Sequence, residues 1–176
     1  MPDNVYLGNP NLKKANTAIE FTQEQILEFV KCKEDPVYFA NNYIKIVSLD
    51  EGLTQFHPYH FQEKLINNFH GNRFNICKMP RQTGKSTTVV SYLLHYAVFN
   101  DSVNIGILAN KAATARELLG RLQTAYENLP KWMQQGIIAW NKGSLELENG
   151  SKILAASTSA SAVRGMSFNI LFLDEF

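Results

Sequence analysis

The stretch that most constrains the fold of this chain runs from Phe74 to Thr88: Phe-Asn-Ile-Cys-Lys-Met-Pro-Arg-Gln-Thr-Gly-Lys-Ser-Thr-Thr. Phe74, Ile76, Cys77 and Met79 read as a short apolar strand that breaks at Pro80. Gly84-Lys85-Ser86 then opens an apolar helix predicted to run towards Asn100. Strand, tight loop, Gly-Lys-Ser and helix form the layout of a phosphate-binding loop. Gly84 lets backbone approach a phosphate with no Cβ in the way. The free N–H groups of the following helix start face the anion, and its dipole favours negative charge there. Lys85 has the reach for β- and γ-phosphates, and the Ser86 hydroxyl suits Mg²⁺.

One residue departs from the consensus G-x-x-x-x-G-K-[ST], because Met79 stands where the first glycine belongs. A bare Gly-Lys-Ser also occurs by chance, in which case Lys85 is simply solvated. The far end of the chain weighs against that reading. Ile170-Leu171-Phe172-Leu173-Asp174-Glu175-Phe176 predicts a strand buried on both faces of a parallel sheet. Its two carboxylates fall at the strand's carboxyl end, where open α/β sheets bind ligands. In that setting Asp174 holds Mg²⁺ and Glu175 polarises the attacking water as general base. Each motif alone is weak; together they point to nucleotide hydrolysis.

The 176 residues suffice for one domain with a core. No apolar run spans a membrane, and Met1 to Lys14 lacks a signal-peptide core. Cys32 and Cys77 have no metal-ligand spacing and read as reduced thiols of a cytosolic protein. A net charge of +1 gives no overall nucleic-acid footprint, so any DNA contact is a local patch. The chain stops one residue past Glu175, an odd end that reads as a fragment.

Residues 1–20 read as a flexible arm, 21–56 as a helical N-terminal region and 57–176 as the core. Thr22-Gln23-Glu24-Gln25 is a capping-box pattern, and Asp35-Pro36 pairs an N-cap with proline at the first helical position. Residues 48–58 read as a loop, with Pro58 opening the helix that carries Phe61, Leu65, Ile66 and Phe69. His57 and His60 have no partner ligands, so no metal is assigned to them. Gln62 could read an adenine edge with its amide, beside an aromatic that stacks on the base. It could equally be a solvated helix glutamine. Val103 to Ala109 predicts a strand, and Ala112 to Asn128 a helix whose polar face carries Lys111, Arg116 and Arg121. A solvated face explains those three better than DNA contact. Trp132 to Ala139 reads as linker or short helix. Leu145-Glu146-Leu147 and Lys152-Ile153-Leu154-Ala155 flank Asn149-Gly150 as a hairpin, expected at an edge or as an insertion. Arg164 suits a phosphate or DNA sensor and a surface turn equally well.

These residues together resemble the ATPase half of the large terminase subunit of tailed phages, of the T4-like type. The resemblance rests on Asp35-Pro36-Val37-Tyr38-Phe39, Phe61-Gln62, Pro80-Arg81-Gln82-Thr83-Gly84-Lys85-Ser86-Thr87, Val163-Arg164-Gly165 and Leu173-Asp174-Glu175-Phe176. The family tolerates loss of the first loop glycine. The resemblance implies a RecA-like α/β core of the additional-strand P-loop class, with a mostly parallel sheet behind a small helical region. It implies ATP and Mg²⁺ as ligands, with Phe61, Gln62 and Arg81 to Thr87 around the nucleotide. Arg81 then acts as an arginine finger in cis, alongside Lys85 and Glu175 in catalysis, with Ser86 and Asp174 on the metal.

The same resemblance implies a motor that drives double-stranded viral DNA into a procapsid in the host cytoplasm. Its partners would be a portal protein and a small terminase subunit, with a homo-oligomeric ring as the working state. A nuclease domain of that family has no counterpart in these residues. Nor does the strand that, in this class, enters between the loop strand and the Asp174 strand. A superfamily-2-type helicase or translocase shares the same motif plan, and the sequence that follows would separate the two.

Overall fold

The computed structural model describes residues 4–48, 50–159 and 165–174. Two helices come first: α1, Gln23–Glu34, and α2, Pro36–Tyr43. Their starts are written locally. The Gln25 amide donates to Thr22 Oγ1 at 3.2 Å while the Thr22 amide donates to Gln25 Oε1 at 3.0 Å. Asp35 Oδ1 accepts from the Val37 and Tyr38 amides, both at 2.9 Å, ahead of Pro36. The stretch 48–58 is not all loop: β2, Gly52–Gln55, pairs antiparallel with β1, Lys45–Ser48. Then come α3, His60–Gly71, and α4, Lys85–Phe99. α3 starts two residues after Pro58, with Tyr59 as its cap.

The main sheet contains β3, Asn104–Ala109; β4, Ile137–Trp140; β5, Ser144–Leu147; β6, Lys152–Ser157; and β7, Ile170–Asp174. Helix α5, Ala112–Glu127, connects β3 to this half. The strand order is β4-β5-β6-β3-β7, with β3 parallel to both β6 and β7, and β5 antiparallel to β4 and β6. The sheet is therefore mixed. The β5–β6 hairpin turns at Asn149-Gly150, where the Gly150 amide donates to Leu147 O at 3.0 Å. It is no edge insertion, because β6 is a central strand beside β3. The edge beyond it is β4, which begins in the stretch read as linker or short helix; Ile137 pairs there because it finds both Leu147 and the N-terminal arm.

The core lies between the sheet and its helices. α4 buries nearly its whole circumference, including Val89, Leu93, Leu94 and Ala97, and α5 buries one stripe, Ala115, Leu118, Leu119, Leu122 and Tyr126. That difference follows from their sequences, all-round apolar for α4 and amphipathic for α5.

Three further expectations change. Residues 4–16 are docked rather than loose: the Ile137 amide donates to Lys13 O at 2.9 Å, and Leu12 is buried. The stretch Phe74 to Pro80 forms no strand: Phe74 and Ile76 are exposed, while Cys77 and Met79 are half-buried. β7 is buried on neither side as a central strand would be, since Leu171 and Leu173 stay 49% and 40% exposed. The last two share one cause. β7 is the sheet's terminal strand, and no strand among the described residues pairs with its outer edge or with the loop-leading stretch.

Candidate nucleotide-binding site

The loop before α4 is shaped by its backbone. Gly84 caps the helix in the left-handed region, at φ 73°, and Thr88 Oγ1 donates to Gly84 O at 3.0 Å. Gln82 also lies at positive φ, 61°, a conformation unusual for a residue with a side chain. Met79 does not, so the position where the consensus has glycine needs none here. Thr83 Oγ1 donates to Pro80 O at 3.0 Å and closes the loop. Two left-handed residues, Gln82 and Gly84, thus flank Thr83 at the amino end of α4. Turns of this kind can present backbone N–H groups to an anion.

Lys85 and Asp174, 89 positions apart in sequence, meet at this point. Lys85 Nζ lies 3.7 Å from Asp174 Oδ1, with side chains 28% and 8% exposed. Parallel pairing sets this up: β7 runs beside β3 with Asp174 opposite Ala109, so the carboxylate emerges at the strand's carboxyl end beside the start of α4. Ser86 and Thr87 occupy the first turn of α4, half-buried. Arg81 is exposed on the loop. Glu175 and Arg164 lie outside the described residues, as do Val163 and Phe176.

Gln62 is drawn into the loop from α3. It is 3% exposed, its Oε1 accepts from the Tyr59 amide at 2.8 Å, and its Nε2 donates to Thr83 O at 3.2 Å. Tyr59 and Phe61 stack beside it, ring centroids 5.9 Å apart and 10° from parallel, both substantially exposed. Phe61 was the aromatic singled out from sequence; Tyr59 was not, although Tyr-His-Phe places it two positions away. Thr88 was also missed, and its signal was the Thr-Thr pair following Ser86. Burial pushes the Cys77 thiol up, against the pull of nearby Lys85.

The donor set can be tested against the metal that the motif implies. Asp174 offers a nearly buried carboxylate with one cation as its charged neighbour, and Ser86 offers a hydroxyl one position from Lys85. No cluster of three His, Cys, Asp or Glu side chains exists among the described residues. Hard oxygen donors in that small number fit Mg²⁺, which is held by one or two protein oxygens together with phosphates and water. They do not fit a metal that needs a full protein cage.

A groove of about 800 Å³ runs from Lys85 and Asp174 along the outer edge of β7. Its walls are β7, the stretch 69–77 and the Val89, Tyr92, Leu93 and Tyr96 face of α4. Arg81, Gln82, Thr83 and Ser86 do not line it, so this groove adjoins the loop before α4 rather than being formed by it. Among the described residues, no helix is long and apolar enough to cross a membrane.

Residues 76–176 match the family described as the large terminase subunit, T4likevirus-type, N-terminal part. The fold is similar to the crystal structure of the HK97 bacteriophage large terminase, with a TM-score of 0.65 and 19% identity. That match covers 80% of this chain and 30% of the HK97 chain.

Proposed function

The chain belongs to the T4-like large terminase family, and from that premise we propose that it carries the ATP-hydrolysing site of a viral DNA-packaging motor. The observation that carries this reading is the approach of Lys85 Nζ to Asp174 Oδ1, 3.7 Å apart at the start of α4. A lysine solvated by chance has no reason to meet the terminal carboxylate of a parallel strand. The two serve a common triphosphate: Lys85 neutralises β- and γ-phosphate oxygens, and the N–H groups of the loop and of the first turn of α4 receive the rest. Ser86 and Asp174 would hold Mg²⁺, which when bound offsets charge developing between the β- and γ-phosphates. Arg81, free of ion pairs among the described residues, swings from the exposed loop onto the transferring phosphate. Glu175 takes the proton of the attacking water. Gln62 and Phe61 meet the adenine, with Gln82, Thr83 and Thr87 completing the nucleotide contacts.

The core belongs to the RecA-like class, with its sheet continued across the β7 edge by further polypeptide. The chain spans about a third of the HK97 large terminase chain it resembles. In the full-length subunit, hydrolysis drives double-stranded DNA through a portal protein into the procapsid. A small terminase subunit delivers that DNA, the working state is a homo-oligomeric ring, and the setting is the host cytoplasm. Endonuclease activity belongs to sequence outside these residues.

The test is DNA-stimulated ATP hydrolysis by the full-length subunit. Glu175→Gln and Lys85→Ala each lower turnover by roughly 10²–10³-fold or more, the scale for removing one preorganised charge-stabilising or proton-accepting group. Rates equal to wild type in both variants would overturn the mechanism.

A further inference from the structure

Gln62 spends both ends of its carboxamide inside the protein. Its oxygen caps α3 by accepting from the Tyr59 amide, and its nitrogen donates to the Thr83 carbonyl, 21 residues further along the chain. A glutamine that served a ligand alone would have no reason to be 3% exposed with two internal bonds. The second bond lands on the peptide between Thr83 and Gly84, in the middle of the anion-binding loop.

The geometry of that peptide gives the bond its consequence. In a trans peptide the C=O and N–H point in opposite directions. Holding the Thr83 carbonyl towards α3 therefore turns the Gly84 N–H away from α3, leaving it free to meet a phosphate at the amino end of α4. The loop does not hold itself there cheaply, because Gln82 sits at φ 61° without glycine's freedom. Conformations of that kind persist when neighbours over-determine them. Gly84 is fitted to the same contact from the other side: a Cβ at that position would lie 2.5 Å from Gln62 Nε2. A side chain at 84 would thus push the Gln62 carboxamide aside, and the φ of 73° itself favours glycine.

We propose that Gln62 is a positioning residue for the phosphate loop: its carboxamide pins the Thr83–Gly84 peptide so that the Gly84 N–H faces the triphosphate. This rests on the nucleotide reading above. It adds to any contact with the base an action on the phosphates, which a base-free ligand will feel.

Magnesium tripolyphosphate is such a ligand, carrying the phosphate chain with no base or ribose. Its affinity, with those of ATP and GTP, is measured by calorimetry on the full-length subunit as wild type, Gln62→Met and Gln62→Asn. Methionine keeps the volume and removes both bonds; asparagine keeps the amide but is one methylene too short to reach Thr83. Thermal unfolding is followed in parallel, so that loss of the α3 cap is read separately. The expected result is a loss of about tenfold in tripolyphosphate affinity in both variants, the scale of one buried hydrogen bond. ATP and GTP weaken by at least that factor, while the unfolding midpoint moves by only a few degrees. Unchanged tripolyphosphate affinity with weakened ATP binding would overturn the proposal and leave Gln62 as a reader of the base alone. The same holds if only the asparagine variant folds and it binds tripolyphosphate like wild type. A wild-type protein that binds neither ATP nor tripolyphosphate would instead bring down the nucleotide reading, and this proposal with it.

Discussion

The two edges of the main sheet are finished in opposite ways. At the β4 edge the N-terminal arm lies alongside the strand: the Ile137 amide donates to Lys13 O at 2.9 Å and the Ala15 amide to Ile137 O at 3.4 Å. Lys13 Nζ meets Glu148 Oε1 at 2.8 Å, and the Asn16 amide donates to Glu148 Oε2 at the same distance. The approach is close enough that a Cβ on Gly136 would lie 2.5 Å from Ala15 Cα. At the β7 edge nothing among the described residues is paired, and Ile76 is fully exposed across the groove. Exposed strand edges are liabilities that folds cover or blunt. One edge here is covered by the chain's own first residues; the other is bare, and it is the one that carries Asp174 and faces the loop. The covered edge is thus the one away from the proposed nucleotide site, and regions with fewer paired backbone groups open more readily.

The largest test of the sealed half uses His95 of α4. Its Nε2 donates to Cys32 O at 2.8 Å, tying α4 to α1, while its Nδ1 is buried without a partner among the described residues. Burial holds the imidazole down to about 4, with His70 nearby adding to the effect against the carbonyl of Cys32. Unfolded histidine takes its proton near 6.5, so the unfolded chain binds more protons and stability rises with pH. The contribution is fully present above about pH 6.5 and is lost as pH falls towards 4. Between pH 7 and 5 it amounts to about 2 kcal/mol. Denaturant unfolding of wild type and His95→Phe checks this. Curves that fall in parallel over that interval would show that the imidazole is not responsible.

A smaller effect is expected where the arm meets the sheet. Burial pushes the Glu148 carboxyl up, but hydrogen bonds from Lys13 and from the Gly136 and Asn16 amides outweigh it and hold the group below its usual value. Glu148→Gln keeps the shape and removes the charge, leaving Lys13 half of a partly buried pair. The expected cost is about 1–2 kcal/mol, with faster proteolysis of residues 4–16 and unchanged tripolyphosphate affinity. An arm no more cleavable than in wild type would mean that the bonds to Ile137, Gln134 and Glu127 hold it without the ion pair.

These edges also mark what could be read from the sequence. Helix starts were legible because their signals are local: Thr22 with Gln25, and Asp35 with Pro36, act within three residues. Lys85 and Asp174 stood out in the sequence because phosphate and Mg²⁺ chemistry asks for those residue types, and the fold brings the two side chains within 3.7 Å. The strands β1, β2 and β4, four residues each, were not legible, because their partners decide them and the partners lie elsewhere in the chain. The arm looked loose because its anchors lie far along the chain: strand bonds to Ile137, side-chain bonds to Glu127, Gln134 and Glu148, and an ion pair formed across 135 positions. Gln62 was found as a ligand candidate, but its bond to Thr83 depends on a fold that brings α3 against the loop. Phe74 to Met79 was read as a strand from apolarity alone. Apolarity says that a segment seeks burial; it does not say that the burying partner is at hand.

That last mismatch sets up the smallest effect and the sharpest contrast between the edges. Ile76 is 100% exposed, so in the 176-residue chain Ile76→Ala removes contacts with water only, and stability should change by less than about 0.5 kcal/mol. In the full-length subunit the continued sheet proposed above buries the same side chain, and the truncation should cost about 2–4 kcal/mol, as for other core isoleucines. Measuring both by denaturant unfolding separates two explanations of the bare edge. A large cost in the full-length subunit alone means that the edge is a seat for further polypeptide, and that the loop leading to Lys85 is braced only when the seat is filled. The 176-residue chain would then be a poor ATPase even with every nucleotide-contacting residue present. A negligible cost in both would mean that the edge stays open in the working protein, and that the loop is braced from the α3 side alone.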